Sequence, residues 1–232
     1  MARSFGASTD DIDFGDVTIF DGLTTLSVSF WVDPTNFTAA DGRFVSKGSS
    51  TAALQAWLVP YVGTTGVVRF VAGDGTNRAV FDTNTAVLTT GSWQHICCTW
   101  AGGNTMVIYY NGVSQTLTQI LAQTPGSLVN STETYRLGEP QTIDPGFVGK
   151  LAELGVWSVV LTAGEANALA KGVVPLRMRT GSLLSYIPCS GHGTSEIDYI
   201  NGTVGTVSGP TVAAHSPTQP AFGFDSEWRA AF

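Results

Sequence analysis

Reactive side chains are few in this chain, and most stand where they cannot cooperate. Cys97, Cys98 and Cys189 would make a thiol nucleophile or a soft-metal site only if their sulfurs converged. Cys97 and Cys98 are adjacent in an apolar run, and neighbouring strand residues point to opposite faces. The three therefore read as small buried hydrophobes rather than as a staple or a cluster. His95 sits in a strand-like segment between core positions and reads as a hydrogen-bonded structural histidine. His192 and His215 fall in Gly- or Pro-flanked stretches without a partner at metal spacing. The pairs Asp21-Gly22, Asp41-Gly42 and Asp74-Gly75 could offer oxygens to a cation, but Asp-Gly is first of all turn chemistry. No Gly-x-Ser-x-Gly elbow, phosphate-binding loop or His-Glu-x-x-His is present.

Composition narrows the surroundings of these groups. Of 232 residues, 43% are hydrophobic, which excludes wholesale disorder. Only 12% are charged, about half the usual share, as in proteins that live packed against others. The balance is 11 basic to 18 acidic, a net charge of −7, with no Lys/Arg cluster. Phosphate-backbone recognition needs clustered cations, so nucleic acid is not an expected partner. No apolar stretch reaches the length of a membrane span. Met1-Ala2-Arg3-Ser4-Phe5-Gly6 carries no signal-peptide core, and the expectation is a chain made in a cytoplasm and not exported through a leader. The sequons at Asn36, Asn130 and Asn201 read as coincidence in a Thr-rich chain.

The elements that hold these residues have a period of two. Leu26, Val28, Phe30 and Val32 alternate with Ser27, Ser29, Trp31 and Asp33, ending at Pro34. Further strands are expected at 43–46, 54–61, 67–72, 78–81, 93–100, 106–110, 134–137 and 147–160. The last is either two strands or one with a bulge near Gly155. Asn111-Gly112 predicts a tight hairpin between 106–110 and 113–117, and Asn201-Gly202 repeats the signal between 197–200 and 203–207. Thr162 with Glu165 predicts a capping box and one short helix ending at Gly172. Too short to be stable alone, that helix is expected against a sheet edge. The fold class is all-β: a two-sheet antiparallel jelly-roll sandwich with one short helix.

Seven segments in order resemble the concanavalin A-like, laminin G-like jelly-roll superfamily, and in particular small single-domain members from bacteriophages. They are Arg3-Ser4-Phe5 with Asp10-Asp11-Ile12, Leu26 to Val32, Trp93-Gln94-His95-Ile96, and Ile108 to Gly112. Phe147 to Trp157, Leu161-Thr162 through Glu165, and Leu183 to Pro188 with Asp198 and Asn201-Gly202-Thr203 complete the set. The resemblance covers residues 3–209 and implies the sandwich fold. Trp31, Trp93, Trp100 and Trp157 are then expected to pack in the core or on a sheet face, with Trp57 left open to sugar stacking.

The same superfamily includes glycoside hydrolases whose strand motif Glu-x-Asp-x-x-Glu supplies the two carboxyls of retaining hydrolysis. Here Glu196-Ile197-Asp198 begins that motif and Asn201 ends it, and an asparagine cannot deliver a proton. The expectation is a protein that is not an enzyme. Other members bind Ca²⁺ at the sandwich rim; the candidates here are Asp10, Asp11 and Asp198, with Asp13 nearby, and the ion is expected to be dispensable. The functional expectation is a non-catalytic virion structural protein, a capsid-decoration or tail-associated module contacting other virion proteins or further copies of itself. The alternative is a carbohydrate-binding adhesin that recognises surface glycans. Residues 1–209 are expected to form the jelly roll and 210–232 an assembly arm, because Pro210, Pro217 and Pro220 oppose central-strand pairing. Phe222, Phe224, Trp228 and Phe232 would anchor that arm, on its own sandwich or on a neighbour.

Overall fold

Alternating apolar and small polar residues fold this chain into two antiparallel sheets packed face to face. A computed structural model describes residues 1–37, 42–48, 51–138, 146–190, 193–214 and 216–217. In chain order the first strands are β1 (Ala2–Phe5), β2 (Asp11–Asp13), β3 (Leu26–Pro34), β4 (Arg43–Lys47), β5 (Trp57–Val62), β6 (Val67–Gly73), β7 (Arg78–Thr83), β8 (Gln94–Trp100) and β9 (Met106–Tyr110). They continue as β10 (Val113–Ser114), β11 (Leu117–Ala122), β12 (Tyr135–Leu137), β13 (Gly149–Trp157), β14 (Leu183–Ile187), β15 (Ser195–Ile197), β16 (Val204–Ser208) and β17 (Thr211–Ala213). One α-helix, α1 (Ala163–Ala170), lies between β13 and β14.

The eight-stranded sheet runs β10-β9-β8-β3-β13-β1-β17, with β14 also paired to β13. The nine-stranded sheet runs β11-β7-β6-β5-β4-β12-β2-β16-β15. Between them lies the main core, which includes Val28, Phe30, Phe44, Trp57, Tyr61, Phe70, Ile96, Cys98, Trp100 and Tyr135. Trp57 is fully buried there, which removes it from any sugar-stacking role. The T-shaped pairs of Phe20 with Trp57 and with Tyr135 follow the edge-to-face geometry of aromatic packing.

The alternate residues of β3 and β8 point away from this core, yet they too are buried. Helix α1 and its flanking loops cover part of this side, forming a second cluster of Cys97, Tyr109, Trp157, Leu161 and Leu169, while Trp31 packs separately with Ala2 and Ala152. The helix thus lies on the outer face of the sheet and reaches its edge at β10, a wider contact than the edge docking expected. Its capping box is present: Thr162 accepts from the Glu165 N–H, and the Glu165 carboxylate accepts from the Thr162 N–H. Covering this face forces its polar residues to find partners. The Ser27 hydroxyl donates to the Val159 carbonyl and accepts from the Leu161 N–H, while Lys150 donates to Asp33 at 2.7 Å.

Three expectations are settled by register. Strand β13 is continuous but bulged, its pairing with β3 shifting between Ala152 and Gly155, where Glu153 takes a left-handed φ of 55°. The Asn111-Gly112 hairpin has positive φ at both residues, 48° and 79°, as a type I′ turn requires. The Asn201-Gly202 turn is different, since Gly202 has positive φ and Asn201 does not. Its shape comes from Asp198, whose carboxylate accepts from the Ile200 N–H and the Asn201 side-chain amide.

The boundary expected at residue 209 requires correction. Thr211–Ala213 pairs with β1 through Arg3 and Val212, so the sandwich continues beyond Gly209 with an edge strand, a place compatible with the proline just before it. Phe222, Phe224, Trp228 and Phe232, like His192 and His215, lie outside the described residues. Among the described residues no helix is long and apolar enough to cross a membrane.

Candidate functional site

On the outer face of the nine-stranded sheet, period-two alternation aims Asp11 and Asp13 of β2 to the same side. Across the ladder Arg136 stands directly opposite Asp13. Its guanidinium forks between the two carboxylates, Nη1 donating to Asp11 Oδ2 at 3.0 Å and Nη2 to Asp13 Oδ2 at 2.6 Å. Nε donates to the Thr134 hydroxyl at 2.7 Å, fixing the plane of the fork. Asp13 Oδ1 accepts from the Gly15 N–H. Burial raises the Asp11 carboxyl above its ordinary range, and Arg136 opposes that shift.

These residues floor an open groove of about 660 Å³, lined also by Phe14, Gly15, Val204, Thr206 and Ser208. Thr206 pairs with Asp13 and Ser208 with Asp11 in the neighbouring strand, which sets a row of hydroxyls beside the carboxylates. Val204 and its cross-strand partner Ile197 are exposed at 58% and 45%, and form an apolar shoulder. The groove thus offers carboxylate acceptors with free lone pairs, a rigid planar donor and hydroxyls that serve as either. The residue types in sequence single out both aspartates but not Arg136. The alternation places Arg136 outward between Tyr135 and Leu137, whereas its partners lie more than a hundred residues away in the chain.

The residues named as candidates for a rim cation do not come together as a site. Asp10 caps the turn into β2, accepting from the Gly6 and Ala7 N–H groups, and Asp11 is bound to Arg136. Asp198 is fully buried and accepts from the Tyr186 N–H at 3.0 Å. It lies beyond the Thr203 end of β16, whereas Asp11 pairs with Ser208 at the other end, a separation of about 16 Å at strand spacing. Among the described residues no group of three or more His, Cys, Asp or Glu side chains is placed to hold a metal ion. Glu196 is equally occupied. Its Oε2 accepts from Arg3 Nε at 2.8 Å and its Oε1 from the Ser190 N–H at 2.7 Å, so the fragment of a hydrolase motif is an internal ion pair.

Residues 5–167 match the family described as the Concanavalin A-like lectin/glucanases superfamily. The chain belongs to that superfamily. No curated protein matches this superfamily member in sequence. Among solved structures it is similar to a candidate carbohydrate-binding protein from Bacteroides ovatus, with TM-score 0.71 and 16% identity over 94% of this chain and 62% of that one. The chain therefore spans less than two thirds of that protein. It is also similar to the native heptameric SAP-like pentraxin from Limulus polyphemus, with TM-score 0.61 and 16% identity over 93% and 94% of the two chains. A third is the CBM40 of Ruminococcus gnavus IT-sialidase bound to α2,3-sialyllactose, with TM-score 0.54 and 14% identity over 73% and 96%. At these identities the likeness is one of fold.

Proposed function

We propose that this jelly roll is a non-catalytic carbohydrate-binding module and that the Asp11–Arg136–Asp13 groove is its glycan-contacting face. The observation that carries the reading is the forked guanidinium held between two carboxylates on an open sheet face. Saccharide hydroxyls are simultaneous donors and acceptors, and such a row of fixed charged groups answers both. The described binding of two of the fold's neighbours, the Bacteroides ovatus protein and the sialidase module, supports the same class of ligand. Asp11, Asp13 and Arg136 sum to one negative charge, which favours neutral or amino sugars over uronic and sialic acids. Catalysis draws no support from the groove, since both carboxylates address one guanidinium on an open surface rather than flanking a cleft. The particle-decoration role expected from the phage-like resemblance, the weak charge and the free cysteines draws no support from the fold's neighbours, and the carbohydrate-binding reading takes its place.

The test is calorimetric titration with a panel of neutral, amino and acidic oligosaccharides, on the wild type and on Arg136→Met and Thr206→Trp. Binding of a neutral or amino sugar that falls at least about tenfold in both variants, about 1.4 kcal/mol, is the expected result. Absence of binding across the panel, or binding indifferent to both substitutions, refutes the groove.

A further inference from the structure

Lys47 is the last residue of β4, and its side chain is fully buried. Three neighbours accept its three ammonium donors: Asp16 Oδ1 at 2.6 Å, the Ser131 carbonyl at 3.2 Å and the Glu133 carbonyl at 3.1 Å. A second carboxylate, Asp21, approaches to 3.8 Å. The three donors point mainly at those neighbours, and Asp21 receives only a long, weak contact from the ammonium. The Asp21 side chain is only 10% exposed, and its oxygens have only long contacts to the Lys47 ammonium and the Ser131 backbone N–H, short of full hydrogen bonds among the described residues. The buried Ser131 hydroxyl beside it has no hydrogen-bond partner among the described residues. Burial raises the Asp21 carboxyl above its ordinary range, as expected for a carboxylate incompletely neutralised by its surroundings.

Hard-cation sites are built from these parts: carboxylates, backbone carbonyls and a hydroxyl, brought together from separate segments. Here they come from the loop after β2, the 3-10 turn at Thr18–Phe20 and the loop before β12. The charges are telling. Two carboxylates face one ammonium, and with the ammonium gone the cradle would carry two uncompensated negative charges, the complement of a divalent ion. We propose that this is a cation site whose resident cation is the protein's own Lys47 ammonium. The covalent occupant removes the need for free metal there, and a Ca²⁺-type ion takes the cradle when the ammonium is removed.

The experiment melts the full chain and the variants Lys47→Ala and Lys47→Gln in millimolar CaCl₂ and in EGTA. The wild type should melt within about 2 °C of the same temperature in both buffers, while Lys47→Ala should melt lower in EGTA and gain about 5 °C or more with Ca²⁺. Adding Asp21→Asn to Lys47→Ala should abolish the gain. Where Lys47→Ala does not accumulate as folded protein, refolding from denaturant in the two buffers replaces the melt, with recovery expected only with Ca²⁺. A larger wild-type loss in EGTA would mean that a free ion already holds these loops, and the proposal fails. It fails equally if Lys47→Ala and Lys47→Gln ignore Ca²⁺, including by refolding in neither buffer.

Discussion

His95 shows how a single titratable residue can tie stability to pH in this fold. It is 1% exposed; its Nε2 bonds the Ser29 hydroxyl at 2.8 Å, and Nδ1 has no partner among the described residues. Burial pushes the imidazole down to about 3, against 6.5 in the open chain. On acidification the unfolded chain therefore takes up the proton first. The stability contributed by neutral His95 is complete above pH 6.5 and is lost progressively as pH falls towards 3. At pH 5 the loss is about 2 kcal/mol. Asp11 and Asp21, whose carboxyls are raised by burial, work in the opposite direction and cannot imitate it. Urea denaturation at about pH 7.5 and about pH 5 should show this loss in the wild type and not in His95→Gln. Equal losses in both proteins would assign the pH dependence elsewhere. The three cysteines are free and buried, and burial pushes the Cys97 thiol up to about 12, so at neutral pH they behave as apolar side chains.

At the scale of elements, the β9–β10 hairpin and α1 constrain one another. Asn111 bonds the His95 backbone through both its N–H and its side-chain oxygen, each at 2.8 Å, which locks the turn to the start of β8. Gly112 then passes so close to the helix that a Cβ there would lie 2.8 Å from the Asn167 Cα. Gly91 has nearly the same φ, 77°, with nothing within 4 Å of an added Cβ. Gly91→Ala should therefore cost only the left-handed backbone, about 1 kcal/mol, whereas Gly112→Ala should cost about 2 kcal/mol more. Chemical denaturation of the two variants measures the difference, and equal costs would show that the helix yields freely. Loss of the cap in Thr162→Ala should cost about 1 kcal/mol by the same measurement.

Across the whole molecule, the two sheets are fastened near the ends of the described chain. Arg3 of β1 and Glu196 of β15 form an ion pair with side chains 2% and 0% exposed. Arg3 also donates to the carbonyls of Pro210, Gly193 and Ser195. Replacing Glu196 removes the carboxylate that neutralises a buried guanidinium, so Glu196→Gln should lower stability by about 3 kcal/mol while leaving glycan affinity at the groove unchanged. A parallel loss of affinity would show that the ion pair shapes the groove. The same anchorage redraws the proposed arm. Truncation after Pro217 should leave the melting temperature within about 2 °C of the full chain. Truncation after Gly209 removes β17 and should lower it further. If the two truncations melt alike, β17 contributes nothing to the sandwich. The assembly role of Phe222, Phe224, Trp228 and Phe232 stays a proposal, read by whether the truncation after Pro217 loses self-association.

The sandwich itself was legible in the sequence because strand period, turn type and helix capping are local properties. Leu26 to Val32 alternates within one strand, Asn111-Gly112 needs no distant partner to prefer positive φ, and Thr162 meets Glu165 three residues away. Asp11 and Asp13 could be seen as chemically able residues for the same reason. What only the tertiary structure decided is which side chains meet. Arg136 reaches Asp11 and Asp13 across 123 residues or more of chain, Lys47 reaches Asp16 and the Ser131 carbonyl, and Glu196 meets Arg3. Long-range register places those pairs, and it follows from the packing of two sheets rather than from any window of sequence. The same register buried the outward side of β3 and β8, partly beneath α1 and partly against Ala2 and Ala152. It also carried the chain past Gly209 onto β1, where an open edge could accept one more strand.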